Sequence, residues 1–296
     1  WSIESDFLEK APATPGGGAL PGGLGWYRKS FTLDKNFKNK KIFVEFDGVY
    51  RNSEVWINGQ LLGKRPNGYI SFRYDITPFV KIGEANLMAV RVDNAQQPNS
   101  RWYSGSGIYR NVRLVITQPV YVEQWGTYVT TPVVTSDSAK VAIQTTIKNE
   151  KNIQRAVKVE QSLFDVAGSL VAKTDANLIL PSGASNQLLQ DMVVPKPVLW
   201  SIENPYLYKI ITKIYVQGIL NDEYQTNVGI RTFKFDVEKG FFLNGKSVKI
   251  NGVCNHHDLG PLGAAVNDAA IRRQIRILKD MGCNAIRTSH NMPAPE

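Results

Sequence analysis

The sequence predicts a mainly β chain: a jelly-roll sandwich, then an immunoglobulin-like β-sandwich, then the first β/α elements of a truncated TIM barrel. Three observations carry this reading. Short alternating apolar runs recur at close spacing with turn signals between them. A break at Gln118-Pro119 separates two such series. Only past residue 235 does a helical period appear, inside a strand–loop–helix–strand unit of the kind that builds parallel barrels.

Residues 1–25 are rich in Gly and Pro (APATPGGGALPGGLG) and read equally well as a surface arm or a functional loop. After them, strands are expected at Trp26–Leu33, Lys41–Asp47, Ser53–Asn58, Leu87–Val92 and Val112–Ile116. Asn58-Gly59 lies between apolar pairs, a strong signal for a two-residue hairpin turn. Past the break, Tyr121–Thr130, Val141–Lys148, Val157–Phe164, Leu188–Val194 and Tyr208–Val216 form the second series. With roughly seven strands in about 115 residues, it fits an immunoglobulin-like sandwich without the usual inter-sheet disulfide. The spacing predicts one helix over Asn267–Met281, with Asn267 as cap, Ile271, Ile275 and Leu278 on one face, and Gly282 past the end. Parallel strands over 248–254 and 284–288 flank it. The domain bounds that follow are 1–119, 120–234 and 235–296.

Composition narrows the function. The 296 residues are 43% hydrophobic, enough for ordinary cores, and no run reaches the roughly 18 apolar residues of a membrane span. The net charge of +9 invites a nucleic-acid reading, but the bases are dispersed. Their densest run, Lys35–Lys41, reads as a solvated turn, so no nucleic-acid partner is expected. Cys254 and Cys283 fall at opposite ends of the expected parallel pair, too far apart for a bridge, and are read as thiols. The chain opens on Trp1 with no signal-like segment, so a targeting peptide is expected outside it. The compartment stays open between periplasm or exterior and cytoplasm.

The polar clusters Asn255–Asp258 and Arg287–Asn291 fall at the ends of the barrel-type strands, where such folds keep their chemistry. Adjacent histidines diverge, and three histidines in the whole chain argue against a zinc site, so no metal ligands are assigned. Ser289, His290 and Asp258 are a triad by residue type only, with no nucleophile elbow. Glycines 16–18 and 22–25 follow no strand and open no helix, which excludes a phosphate loop. Directional donors and acceptors at strand ends suit polyol hydroxyls instead.

The chain resembles the N-terminal part of a family 2 glycoside hydrolase, most closely the β-galactosidases. The resemblance rests on LPGGLGWYRKSF (20–31), FDGVYRNSEVWINGQLLGKRPNGYISFRYDIT (46–77) and RWYSGSGIYRNV (101–112) in the first domain. It continues through LWSIENPYLY (199–208), GIRTF (229–233), GFFLNGKSVKINGVCNHHD (240–258) and GCNAIRTSHNMP (282–293). It implies a retaining exo-glycosidase acting on terminal β-galactosides, with its acid/base and nucleophile Glu beyond Glu296 and none within this fragment, which should be inactive alone. It implies substrate-binding roles for His256, His290 and Arg287, with Asp258 at an acidic position seen in part of the family. It also implies that the loop Asn99–Tyr103, with Asn99 and Arg101, is the region from which the first domain can reach into the pocket. That loop reads PNSRWY, without the acidic ligands some β-galactosidases use for a monovalent cation. A cation in the complete enzyme, divalent or monovalent, therefore stays open, as does a homo-oligomer. The alternatives are β-glucuronidase or β-mannosidase specificity, or a carbohydrate-binding or scaffolding module without activity. Asn149-Glu150 repeats the family's catalytic dipeptide but falls in the Lys-rich stretch KNEKN, read as a surface turn.

Overall fold

Alternation of apolar and polar side chains governs most of the architecture. A computed structural model describes residues 22–97, 100 and 102–296. The Gly/Pro-rich opening before residue 22, Asn99 and Arg101 lie outside the described residues. The chain forms two compact units, one of residues up to Ile116 together with Asn251–Glu296, the other of Thr117–Ile250.

In the first unit a four-stranded antiparallel sheet orders Leu24–Thr32, Ala85–Asp93, Ser53–Ile57 and Gln60–Arg65. A three-stranded sheet orders Phe72–Asp75, Lys41–Phe46 and Val112–Thr117. Their inner faces share one core that includes Val44, Phe46, Val55, Ile57, Phe72, Ile76, Val90 and Val92. Asn58 and Gly59 both take positive φ (49° and 85°), as the expected two-residue turn requires, with Ile57 paired to Gln60. The run at Lys35–Phe37 is a single 3₁₀ turn capped by Asp34.

The second unit pairs Val120–Val134, Ser138–Asn149 and Ser185–Pro195 in one sheet. The other orders Leu170–Leu180, Arg155–Phe164, Tyr208–Val216 and Ile219–Val228. That makes the seven strands of the sequence reading. Where an immunoglobulin domain carries a disulfide between its sheets, Gln161 links them by a hydrogen bond. Its amide donates to the Thr145 hydroxyl of the facing sheet at 2.9 Å, and the Thr212 hydroxyl of its own sheet donates to its carbonyl at 2.7 Å. All three side chains are fully buried, so each bond protects polar groups from an uncompensated loss of water.

Two expectations are corrected here. Asn149 is no surface residue: it is fully buried, and its amide donates to the carbonyls of Ile153, Leu180 and Pro181. The first parallel strand is Gly252–His256 rather than 248–254. The Val248 N–H pairs with the Phe241 carbonyl at 2.9 Å, which spends it on the preceding hairpin. Parallel pairing starts only where Asn284 brackets Asn251, accepting from its N–H and donating to its carbonyl.

Candidate functional site

The parallel pair places the two polar clusters side by side. Gly252–His256 runs beside Ala285–Ser289 with Cys254 opposite Arg287 and His256 opposite Ser289. Both strands thus deliver their last residues to the same edge. Between them runs the helix Asp268–Asp280, capped by the Asn267 carboxamide accepting from the Ala270 N–H at 3.0 Å. Met281 closes it and Gly282 follows at φ 94°, as the sequence spacing predicts.

His256 and His290 converge. Their ring centroids are 5.4 Å apart at 80°, and both residues are exposed. The third wall is Trp102 of the first sandwich, 6.3 Å from the His256 ring and 5.5 Å from that of His290. Its indole N–H donates to the Tyr69 hydroxyl at 3.2 Å. Arg287 stands in the middle of the second strand, with Nη1 3.5 Å from Cys254 Sγ and 3.4 Å from the Ser289 hydroxyl. The Arg287 and Ser289 side chains hold the Cys254 thiol below its usual pKa. The thiols of Cys254 and Cys283 are both free, as read from the sequence.

His257 faces the other way, as adjacent strand-end residues do. Its ring packs edge-on against Tyr69 (5.1 Å) and Tyr109 (6.4 Å), and neither nitrogen completes a hydrogen bond of normal geometry, although the Ser104 main chain lies near. Burial pulls its pKa below the ordinary value, outweighing the favourable charge of Asp258. Asp258 also adds to the burial that raises the Tyr103 pKa. The acid therefore acts electrostatically on His257 and Tyr103.

The first sandwich is fastened to this edge by close approach and by charge. Gly105 and Gly263 both have positive φ. A Cβ on Gly105 would lie 2.8 Å from the Ala264 Cβ, and one on Gly263 would lie 2.8 Å from the Tyr103 hydroxyl. Arg110 donates to the carbonyls of Tyr69 (2.8 Å), Asp47 (3.2 Å) and Met292 (2.8 Å), and burial lowers its pKa. Arg113 bridges Asp47 and Glu296, and Asn111 donates to Glu296 at 2.7 Å. Burial opposes the Glu296 charge, but its own N–H, Asn111 and Arg113 outweigh that and keep its pKa low. Glu296 is held in an ion pair with Arg113.

The structure thus unites His256 and His290, sets Arg287 in the middle of the second strand beside Cys254, and turns His257 into packing. Asn99 and Arg101 lie outside the described residues. Tyr69 and Arg110 were missed as site-forming residues, and Trp102 was included only as part of the loop Asn99–Tyr103. Trp102 and Arg110 stand inside the quoted stretch RWYSGSGIYRNV, and only tertiary contact reveals their part. Among the described residues, no three His, Cys, Asp or Glu side chains gather as a metal site, and no helix is long and apolar enough to cross a membrane.

Two β-sandwiches lead along the chain into a parallel strand–helix–strand unit with imidazole and indole rings near its strand ends. Residues 19–119 match the sugar binding domain of glycosyl hydrolases family 2, residues 120–231 match glycosyl hydrolases family 2, and residues 235–296 match the family's TIM barrel domain. The chain belongs to glycosyl hydrolases family 2. Over all of its length it is 56% identical to beta-galactosidase BoGH2A of Bacteroides ovatus, of which it spans 35%. A solved family 2 member from Bacteroides cellulosilyticus is 42% identical with a TM-score of 0.95, over 98% of this chain and 37% of that one. A calcium binding mutant of Bacteroides uniformis beta-glucuronidase 2 is 31% identical with a TM-score of 0.83, over 98% of this chain and 35% of that one. The chain therefore spans about a third of the length of the relatives it matches.

Proposed function

We propose that the complete protein is a retaining exo-β-galactosidase for oligo- or polysaccharides, and that residues 1–119, 120–234 and 235–296 are its sugar-binding domain, immunoglobulin-like domain and barrel opening. The convergence of His256 and His290 at 5.4 Å carries the reading on the structural side. Two exposed imidazoles with differently directed edges can donate to neighbouring hydroxyls of one pyranose. The likeness to the Bacteroides ovatus beta-galactosidase supports galactose as the sugar.

In this reading Arg287 orients a nucleophilic carboxylate by charge-assisted hydrogen bonds, with acid/base and nucleophile Glu supplied beyond Glu296. His256 and His290 donate to hydroxyls, and their contacts tighten as the ring distorts toward an oxocarbenium-like transition state. Asp258 tunes the His257 and Tyr103 side of the loop. Asn99 and Arg101 are assigned to substrate binding in the same reading.

Replacing His256 or His290 by Phe in the full-length enzyme keeps the ring and removes the donor. Both kcat and kcat/KM should then fall together, by about 30- to 1000-fold for a lost transition-state donor of about 2–4 kcal/mol. Folded variants with near-normal kcat/KM would show that these histidines are structural. The 296-residue chain alone should release only background chromophore from a β-galactoside, since it lacks the carboxylate pair. Dialysis of the full-length enzyme against EDTA reads its dependence on a divalent cation, and exchange of sodium for a bulky organic cation reads a monovalent one.

A second reading, β-glucuronidase specificity, is favoured by the likeness to the Bacteroides uniformis enzyme. Parallel kcat/KM values on aryl β-galactoside and β-glucuronide decide between them.

A further inference from the structure

Arg110 and Arg113 divide the polar groups around them. Arg113 pairs with the carboxylates of Asp47 and Glu296. The hydrogen bonds of Arg110 to described residues all end on main-chain carbonyls: Nη1 donates to Asp47 and Tyr69, and Nη2 to Met292. A cation bound to neutral carbonyls recovers less of its lost hydration than one paired with carboxylates. The geometry it imposes is therefore the larger part of what it contributes. That geometry is strict, because the guanidinium donors form a rigid fork, and the Tyr109 ring centroid lies 4.8 Å from its Cζ.

Two of the three carbonyls lead to His290. Ser289, the residue before it, is paired in register with His256 across the parallel strands. Met292 follows two residues later, and Arg110 holds its carbonyl at 2.8 Å. His290 and Asn291 are thus all the chain between two fixed points. The second route runs through Tyr69. Arg110 holds its carbonyl at 2.8 Å, the Asn67 side chain accepts from its N–H at 2.8 Å, and its hydroxyl accepts from the Trp102 indole at 3.2 Å. That indole meets the His290 ring at 5.5 Å and 61°. One guanidinium therefore fixes both the main chain that follows His290 and the ring beside it. His256 depends on it less, being the last residue of a paired strand and farther from Trp102 at 6.3 Å.

We propose that Arg110 is a positioning residue for the glycosidase reaction, acting through His290: it sets the direction of the imidazole that donates to a sugar hydroxyl. The inference rests on the reading of His290 as a substrate donor, and adds a residue of the sugar-binding domain on which that donor depends.

The test is a double-mutant cycle in the full-length enzyme on an aryl β-galactoside. Arg110→Met keeps an unbranched side chain and removes the fork. It should lower kcat by about 10- to 100-fold with KM nearly unchanged, since His290 acts in the transition state. In the His256→Phe background that loss should persist, and in the His290→Phe background it should shrink below about threefold. A merely structural role, which lowers the amount of folded enzyme, would cost the same factor in every background. An equal loss in all three, or near-normal kcat in Arg110→Met, overturns the proposal. Should Arg110→Met fail to fold, Arg110→Lys, which keeps the charge without the fork, goes through the same cycle. A His290→Phe enzyme with near-normal kcat/KM removes the donor reading and the inference with it. An impaired His290→Phe enzyme to which the Arg110 loss simply adds removes this inference alone. A wild type active on the aryl β-glucuronide but not the galactoside removes the galactosidase reading, and the same cycle on that substrate still decides the role of Arg110.

Discussion

The sandwich of residues 120–228 and the parallel unit of residues 252–289 follow opposite rules of burial. In Ser138–Asn149 every second residue is buried, and the two sheets enclose cores around Ile143, Leu163 and Ile210 and around Ile147, Val159 and Ile214. The helix Asp268–Asp280 buries no residue, and Ile275, Ile277 and Ile286 remain 49%, 47% and 39% exposed. Antiparallel sheets stacked face to face cover one another, whereas parallel strands need cover on both faces. The first kind of element completes itself within a short stretch of sequence. The second waits for strands and helices from elsewhere in a barrel.

Substitutions in the two regions should therefore diverge most in the cores. Leu163→Ala removes a fully buried side chain and should cost about 2–5 kcal/mol in urea unfolding. Ile277→Ala, on the uncovered helix, should cost less than about 1 kcal/mol in this chain. Equal costs would mean that the helix is packed after all, and the contrast would fall. Next in size is Gln161→Leu, which leaves the buried Thr145 and Thr212 hydroxyls without their partner. Urea unfolding should show a loss of about 1–3 kcal/mol. Loss near zero would mean that apolar packing alone joins the sheets.

Asn267→Ala removes the only side-chain cap of the helix and should cost about 1 kcal/mol locally. Amide exchange over 268–280 should quicken while the sandwich amides keep their protection. The smallest effect is a titration. Burial holds the folded-state pKa of His257 below its ordinary value of 6.5. The unfolded chain therefore takes up the proton first. The stability His257 contributes is complete above about pH 6.5 and is lost as pH falls from there through the lowered folded-state value. His257→Phe should flatten that part of the stability-against-pH curve. An unchanged slope would show that the ring is hydrated rather than caged by Tyr69 and Tyr109.

What the sequence disclosed follows the same division. Strands buried on one face announced themselves, and Tyr208–Val216 matches its expected bounds. The edge strands Leu170–Leu180 and Ile219–Val228 did not, because edges carry polar residues such as Asp175, Asn177, Asp222 and Glu223 that blur the alternation. The first parallel strand was set four residues early because apolar Val248 and Ile250 look like strand positions, while hairpin pairing claims the Val248 N–H. His256 and His290 were legible from their motifs and their place at strand ends. Trp102 was placed only within the loop Asn99–Tyr103, and Tyr69 and Arg110 were not legible, since their contacts join residues 33 and 182 apart in the chain.

The Arg110 guanidinium, shared between Asp47, Tyr69 and Met292, bears on how this protein could be re-engineered. Modular enzymes invite cut-and-paste construction, in which a catalytic barrel is moved onto a new sugar-binding partner. Here the graft boundary would run through the Met292 carbonyl and the Glu296 carboxylate, which the first sandwich holds through Arg110, Asn111 and Arg113. A transplanted barrel would carry His290 on an untethered loop unless the donor sandwich brought its own equivalents of these three residues. The portable unit is therefore the sandwich and the barrel opening together, although the chain between them folds as something else.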